Sequence, residues 1–252
     1  MNAQSVQKIL TLVENQDLVL DVGGWAQPFP RADYVIDIMP YETRGLLGRV
    51  YEGKEQFSNE TWITRDLCDR APFPFPDRHF DFAICAHVLE DVKDPLFVCS
   101  ELQRVAKRGY IETPSRLVEQ TVGVESRHYC GYHHHRWLVD LEDGKLLFTM
   151  KSDLLMHSWR FHLPKRYLRS RPEGAKIVQL FWEDGFEFGE NILITFQEEA
   201  DYLENFVLQS GAYSSIRYWM FETVRRVTHI GLPCLNGSKN HEVFSVSRED
   251  IS

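Results

Sequence analysis

The chain has 252 residues, 43% hydrophobic and 26% charged, a length and balance that exclude disorder and allow one domain with additions around a full core. Its formal charge of −9 lacks the basic excess that grips a polyphosphate backbone, which argues against nucleic acid as a partner. Five widely spaced cysteines form no CxxC pair, the N-terminus lacks a signal-peptide pattern, and no apolar run reaches the ~20 residues of a membrane span, so a reducing, cytoplasmic, membrane-free setting is expected.

Val6, Ile9, Leu10 and Val13 fall at helical spacing and predict a short amphipathic helix ahead of the first strand. Apolar runs of strand length follow at Leu18 to Val22, Tyr34 to Ile38, Thr61 to Thr64, Phe80 to Ala86 and Gly109 to Thr113. Between the last two, Asp94 to Lys107 reads as a helix, with Asp94 as cap, Pro95 at its first position and Leu96, Phe97, Leu102 and Val105 on its apolar face. Nearly continuous apolar strands separated by a helix imply an α/β core with a parallel sheet covered on both faces.

The second half changes character. Trp137 to Leu141 and Leu146 to Met150 flank Glu142-Asp143-Gly144-Lys145, a hairpin signature. Lys176 to Trp182 and Asn191 to Phe196 flank Glu183-Asp184-Gly185 and predict a second antiparallel pair. A last helix is expected from Ser214 to about His229, its run Tyr218-Trp219-Met220-Phe221 read first as core packing. The expected organisation is a ligand-binding α/β core over 1–116, and 117–252 as the C-terminal part of the same domain, carrying acceptor-site elements on added hairpins and helices.

In an open parallel sheet, ligands sit beyond the carboxyl ends of the strands, where Asp21-Val22-Gly23-Gly24 and Asp37 fall. A dinucleotide would call for G-x-G-x-x-G opening a helix. Here Trp25 and Gln27 take the places of further glycines, and Pro28 and Pro30 leave little room for a helix before Tyr34. The crossover from Val22 to Tyr34 is also short for a parallel connection, so no regular helix is expected in it. S-adenosylmethionine removes the conflict, because it carries a ribose and no phosphate. Asp21 beside its positive charges then helps rather than repels, Asp37 is suited to the ribose hydroxyls, and Gly23 and Gly24 let the backbone approach the methionine part.

The stretch "WITRDLCDRAPFPFPDRHFDFAICAHVLEDVKDPLFVCSELQRVAKRGYIETPSR", residues 62 to 116, closely resembles the core of class I S-adenosylmethionine-dependent methyltransferases of the type 11 kind, and the likeness extends over roughly residues 18 to 116. It rests on an acid after the third strand followed by a small apolar residue, then "PF" with an acid, an "FD" strand, an "HVLE" turn and a "DP" helix leading to the next strand. The resemblance implies a Rossmann-like doubly wound sheet, mostly parallel, with antiparallel hairpins and helices added in the C-terminal half. It also implies that Asp66 contacts the adenine amine, that Leu67 packs on the ring, and that Ala86 and His87 face the cofactor from the end of the fourth strand. Asp91 stands where the family often has a histidine, so no role of that histidine carries over.

Methyl transfer to a neutral hydroxyl needs a base for its proton, most often histidine or a carboxylate. The richest supply is "SRHYCGYHHHRW", residues 126 to 137, just past the fifth strand. His133, His135 and His87 are the candidate bases. The bland reading is a polar loop whose histidines hydrogen-bond other loops. A metal held by His128, Cys130 and His133 is a weaker third reading, because the spacing matches no closed zinc site, and no metal is expected. Glu90 and Asp91 read first as turn and cap residues, with a catalytic carboxylate pair as the alternative, and Glu112 is an acid at a strand end. Lys151, Lys165, Arg166, Arg169 and Arg171 suit either a solvated face or a phosphorylated acceptor.

The leading function is S-adenosylmethionine-dependent methylation of a small molecule, at oxygen first, with a sugar or sugar-linked acceptor in a glycan or secondary-metabolite pathway. The competing class is a methyltransferase-like binding or assembly protein without catalysis, against which the retention of both Asp37 and Asp66 speaks. A homo-oligomer is compatible with either.

Overall fold

The side chain of Asn2 accepts a hydrogen bond from the Ser5 N–H and starts α1 (Ala3–Leu12), whose Val6 and Ile9 are buried. The computed structural model describes residues 1–48 and 51–213. After α1 come β1 (Val19–Val22), β2 (Tyr34–Asp37), β3 (Trp62–Thr64), β4 (Phe80–Ala86), α2 (Pro95–Val105) and β5 (Ala106–Pro114). Then follow α3 (Arg116–Glu119), β6 (Thr121–Val122), β7 (Trp137–Glu142), β8 (Lys145–Met150), α4 (Leu154–His157), β9 (Leu163–Pro164), α5 (Lys165–Arg169), β10 (Ile177–Glu183), β11 (Glu187–Glu190) and α6 (Phe196–Ser210). Met1–Ala212 form one compact unit. The helix expected from Ser214, with its aromatic run, lies outside the described residues.

The main sheet has the order β10-β5-β4-β1-β2-β3. Strands β1 to β5 are parallel to their neighbours, and β10 runs antiparallel on β5. This is the mostly parallel α/β architecture that the apolar strands predict, in the Rossmann-like form that the resemblance implies. Alternate residues feed two cores: Val19, Phe82, Ile84 and Tyr110 join Val6 and Ile9 on one face. Leu20, Val22, Ala83 and Cys85 join Val98, Leu102 and Val105 of α2 on the other. Asp94 caps α2 by accepting from the Phe97 N–H, and Pro95 occupies its first turn.

The crossover from β1 to β2 contains no helix. The loop is held instead by carboxylates: the Phe29 N–H donates to Asp21 Oδ2 at 2.9 Å and the Trp25 N–H to Asp37 Oδ2 at 3.0 Å. The chain order reverses across β1, whose neighbours are β2 on one side and β4 on the other, which opens a crevice at their carboxyl ends.

The hairpin over 137–150 forms as expected, with Asp143 and Gly144 both at positive φ in its turn. The antiparallel pair expected from 176–182 and 191–196 does not. Its first segment leaves to complete the main sheet as β10, and β11 pairs in parallel with β8 in a separate three-stranded sheet. Residues 191–195 form no strand, and Phe196 opens α6, capped by Thr195 and Glu198 and ended by Gly211 at φ +68°. The main sheet therefore takes a strand from beyond the 116 boundary.

Candidate functional site

A cavity of about 900 Å³ opens at the carboxyl ends of β1, β2 and β4. Gly23 forms its floor. With φ +77°, and with a Cβ there placed 2.1 Å from Val88 Cγ2, only glycine fits. Its neighbour Gly24 is needed for another reason, since a Cβ would stand 2.3 Å from Asp21 Oδ2. Asp37 ends β2 on the cavity wall, accepting from the Trp25 and Met39 N–H groups. Burial raises its pKa, partly offset by those backbone donors. Asp66 follows β3, accepts from the Cys68 N–H, and lines the cavity with buried Leu67.

His87 leaves β4 at φ +59°, in the left-handed region that non-glycine residues seldom adopt. Its N–H donates to the Glu112 carbonyl, its Nε2 lies 3.0 Å from Glu112 Oε1, and its Nδ1 lies 3.4 Å from Glu90 Oε1. Burial works against the charged ring, but the two carboxylates outweigh it and push His87 up to about 9. Burial would likewise raise Glu112, yet bonds from His87 and Tyr110 hold it down to about 2. At neutral pH the pair is an ion pair, so His87 is a fixed cation at the cavity wall.

The opposite wall comes from the histidine segment. The Glu90 carbonyl accepts from the Arg136 and Trp137 N–H groups at 2.6 and 3.2 Å, and the Trp137 indole donates to the Val92 carbonyl. This pins residues 134–137 against the turn 90–92. His135 is buried, its Nδ1 held 2.8 Å from Glu119 Oε1, and its Nε2 3.9 Å from Asp91 Oδ1. Burial raises the Asp91 pKa to about 6, partly countered by His135.

Of the residues singled out in the sequence, Gly23, Asp37, Asp66, Leu67, His87 and His135 line this cavity. Asp21, Gly24, Ala86 and His133 do not. Asp21 is buried and turned toward Phe29, so it shapes the loop from beneath. His133 is 69% exposed and bonded to Glu125. Glu90 and Asp91, read first as turn and cap residues, both line the wall, and Asp94 alone caps α2. Sequence reasoning missed Glu119, which sits in a short helix without a motif, and the walls supplied by Leu168 and Ile177. His134 was visible in the cluster but was not singled out.

A methyltransferase domain model matches residues 34–111, from β2 into β5. The likeness is to a methyltransferase domain and covers the β2-to-β5 part of the main sheet. Solved structures similar to this chain include a putative methyltransferase bound to the Trm112 methyltransferase activator of Haloferax volcanii, 20% identical over 41% of this chain and 47% of that one, with TM-score 0.31. A putative methyltransferase from Bacillus halodurans is 21% identical over 45% and 52%, with TM-score 0.34. An S-adenosylmethionine-dependent methyltransferase from Aquifex aeolicus is 22% identical over 44% and 64%, with TM-score 0.31. The chain thus spans less than two thirds of each of these proteins. No curated protein matches its sequence. Among the described residues, no helix is long and apolar enough to cross a membrane.

Proposed function

We propose that the protein methylates an oxygen of a hydroxylated small molecule, a sugar or sugar-linked compound first, with S-adenosylmethionine as donor. The observation that carries this reading is that Asp37, Asp66 and Gly23 line one cavity with no helix after β1. That arrangement suits a ribose and an adenine and offers no phosphate cradle. Asp37 would take the ribose hydroxyls, Leu67 the adenine face with Asp66 at its edge, and Gly23 the methionine part. When bound, S-adenosylmethionine supplies an activated methyl group. The protein's own share is to orient the acceptor, exclude water, and remove a proton.

His87, held as a cation by Glu112 and Glu90, positions charge and is not the base. The acceptor's proton leaves at the corner formed by Asp91, His134 and His135. The cavity, at about 900 Å³, lies at the large end of small-molecule sites and leaves room for two ligands.

The test is calorimetric titration with S-adenosylmethionine, with NAD for comparison. Micromolar binding that weakens at least tenfold in Asp37→Ala is expected. Failure of the folded, cofactor-free protein to bind would overturn the reading and favour the assembly-protein class.

A further inference from the structure

We propose that Asp91, His134 and His135 form a site for a divalent transition-metal cation such as Zn²⁺ on the cavity wall, with a coordination position left open toward the acceptor. One ligand atom from each of the three lies within 4.8 Å of the others. Two imidazoles and one carboxylate match the three-ligand, open-position pattern of catalytic zinc and related sites.

Three features separate this trio from a chance gathering of polar groups. His135 has only Nε2 to offer, because Nδ1 is committed to Glu119 Oε1 at 2.8 Å, and Glu119 Oε2 is itself held by Lys151 Nζ at 2.6 Å. A carboxylate fixing the far nitrogen is how ligating histidines are normally oriented. Next, the 3.9 Å between His135 Nε2 and Asp91 Oδ1 is too long for a hydrogen bond. Two ligands on one tetrahedral ion at bond lengths of ~2.1 Å stand about 3.4 Å apart, so the pair needs only a small closure. Finally, Asp91 Oδ1 is buried with no hydrogen-bond partner among the described residues, and the one cation beside its neighbour Glu90, His87, is already shared with Glu112. Buried acceptors without donors call for a positive charge.

The backbone bonds from Arg136 and Trp137 to Glu90 hold the two segments together without the ion, so the site is preformed. A second trio, Glu125, His133 and His134, is equally close but wholly exposed, and Glu125 is already bonded to the His133 ring. That leaves His134 to the inner trio. The ion's role, though not its binding, rests on the methyl-transfer reading: it would hold the acceptor oxygen and lower its pKa, the proton passing to solvent.

The full chain, stripped with a chelator, is titrated with Co²⁺ and Zn²⁺ and followed by visible absorption and calorimetry, with S-adenosylmethionine titrated into the same samples. One equivalent of Co²⁺ with d–d absorption bands is expected, weakened at least tenfold in Asp91→Asn and in His134→Ala. It should be unchanged in Glu125→Gln and His133→Ala, with S-adenosylmethionine binding intact throughout. Protein that binds S-adenosylmethionine but no metal overturns the metal site and leaves methyl transfer standing. Metal binding that survives Asp91→Asn but fails in Glu125→Gln also overturns it. Metal binding without S-adenosylmethionine binding keeps the site and removes the methyl-transfer reading.

Discussion

Glu119 divides its carboxylate between two buried partners, His135 Nδ1 at 2.8 Å and Lys151 Nζ at 2.6 Å. Through the first contact it fixes which nitrogen of His135 faces the cavity, and through the second it neutralises a lysine that is 2% exposed.

Glu119→Gln should therefore affect activity and stability by separate routes. Loss of the anchor is expected to lower methyl transfer about 10- to 100-fold, as for outer-shell partners generally, with S-adenosylmethionine affinity unchanged. The stranded Lys151 should cost ~3–5 kcal/mol, read from urea unfolding. Glu119→Gln/Lys151→Met removes the stranded charge, so it should recover stability without recovering kcat. Recovery of both would reduce Glu119 to a packing role.

Gly23→Ala tests the cavity floor. A left-handed backbone costs ~1–2 kcal/mol for a residue with a Cβ, and overpacking against Val88 adds ~1–3 kcal/mol. Gly23→Ala/Val88→Ala should regain the steric part alone, so the two substitutions should couple in a double-mutant cycle. Simple additivity would mean that the loop moves away from Val88.

Asp21 gives a pH signature. Burial, with Asp37 adding, raises it to about 7 against the pull of the Phe29 N–H. A group whose folded pKa exceeds its unfolded one stabilises below the unfolded value, here 3.8, and loses that contribution as pH rises through about 7. Asp21→Asn keeps an acceptor for Phe29 and has no proton to lose. Its stability relative to the parent protein should thus rise between pH 4 and pH 8 by a few kcal/mol, ~4 at 1.36 kcal/mol per pKa unit. A flat difference across that range would mean that water reaches Asp21.

Much of the core was legible because local signals and burial agree there. The run Phe80 to Ala86 is apolar on both faces and became a central strand with the predicted bounds, and Asp94-Pro95 marked the start of α2. Trp25, Gln27, Pro28 and Pro30 foretold a crossover without a helix. The failures were of partnership. Ile177 to Trp182 announces a strand but not its neighbour, and Asp184-Gly185 adopts the positive φ of a hairpin turn while the chain crosses to another sheet. α6 carried a capping box and a terminal glycine, yet buries only Ala200, Leu203 and Val207, too thin a stripe to stand out. At the site, the chemistry of the histidine cluster was visible, whereas which ring faces the cavity depends on Glu119 and on the turn at Glu90, contacts between segments far apart in sequence.

The seating of β10 on β5 also bears on how the molecule is made. Seven residue pairs join the two strands, from Ile177 opposite Pro114 to Glu183 opposite Arg108. During synthesis β5 emerges long before its partner, so one edge of the nascent sheet stays unpaired while the intervening chain is still being made. Gly109 meets that late arrival closely, since a Cβ there would stand 2.7 Å from the Trp182 ring. The carboxyl end of the sheet around β1, β2 and β4 is thus complete in outline early, and its edge is sealed only when Trp182 docks over Gly109.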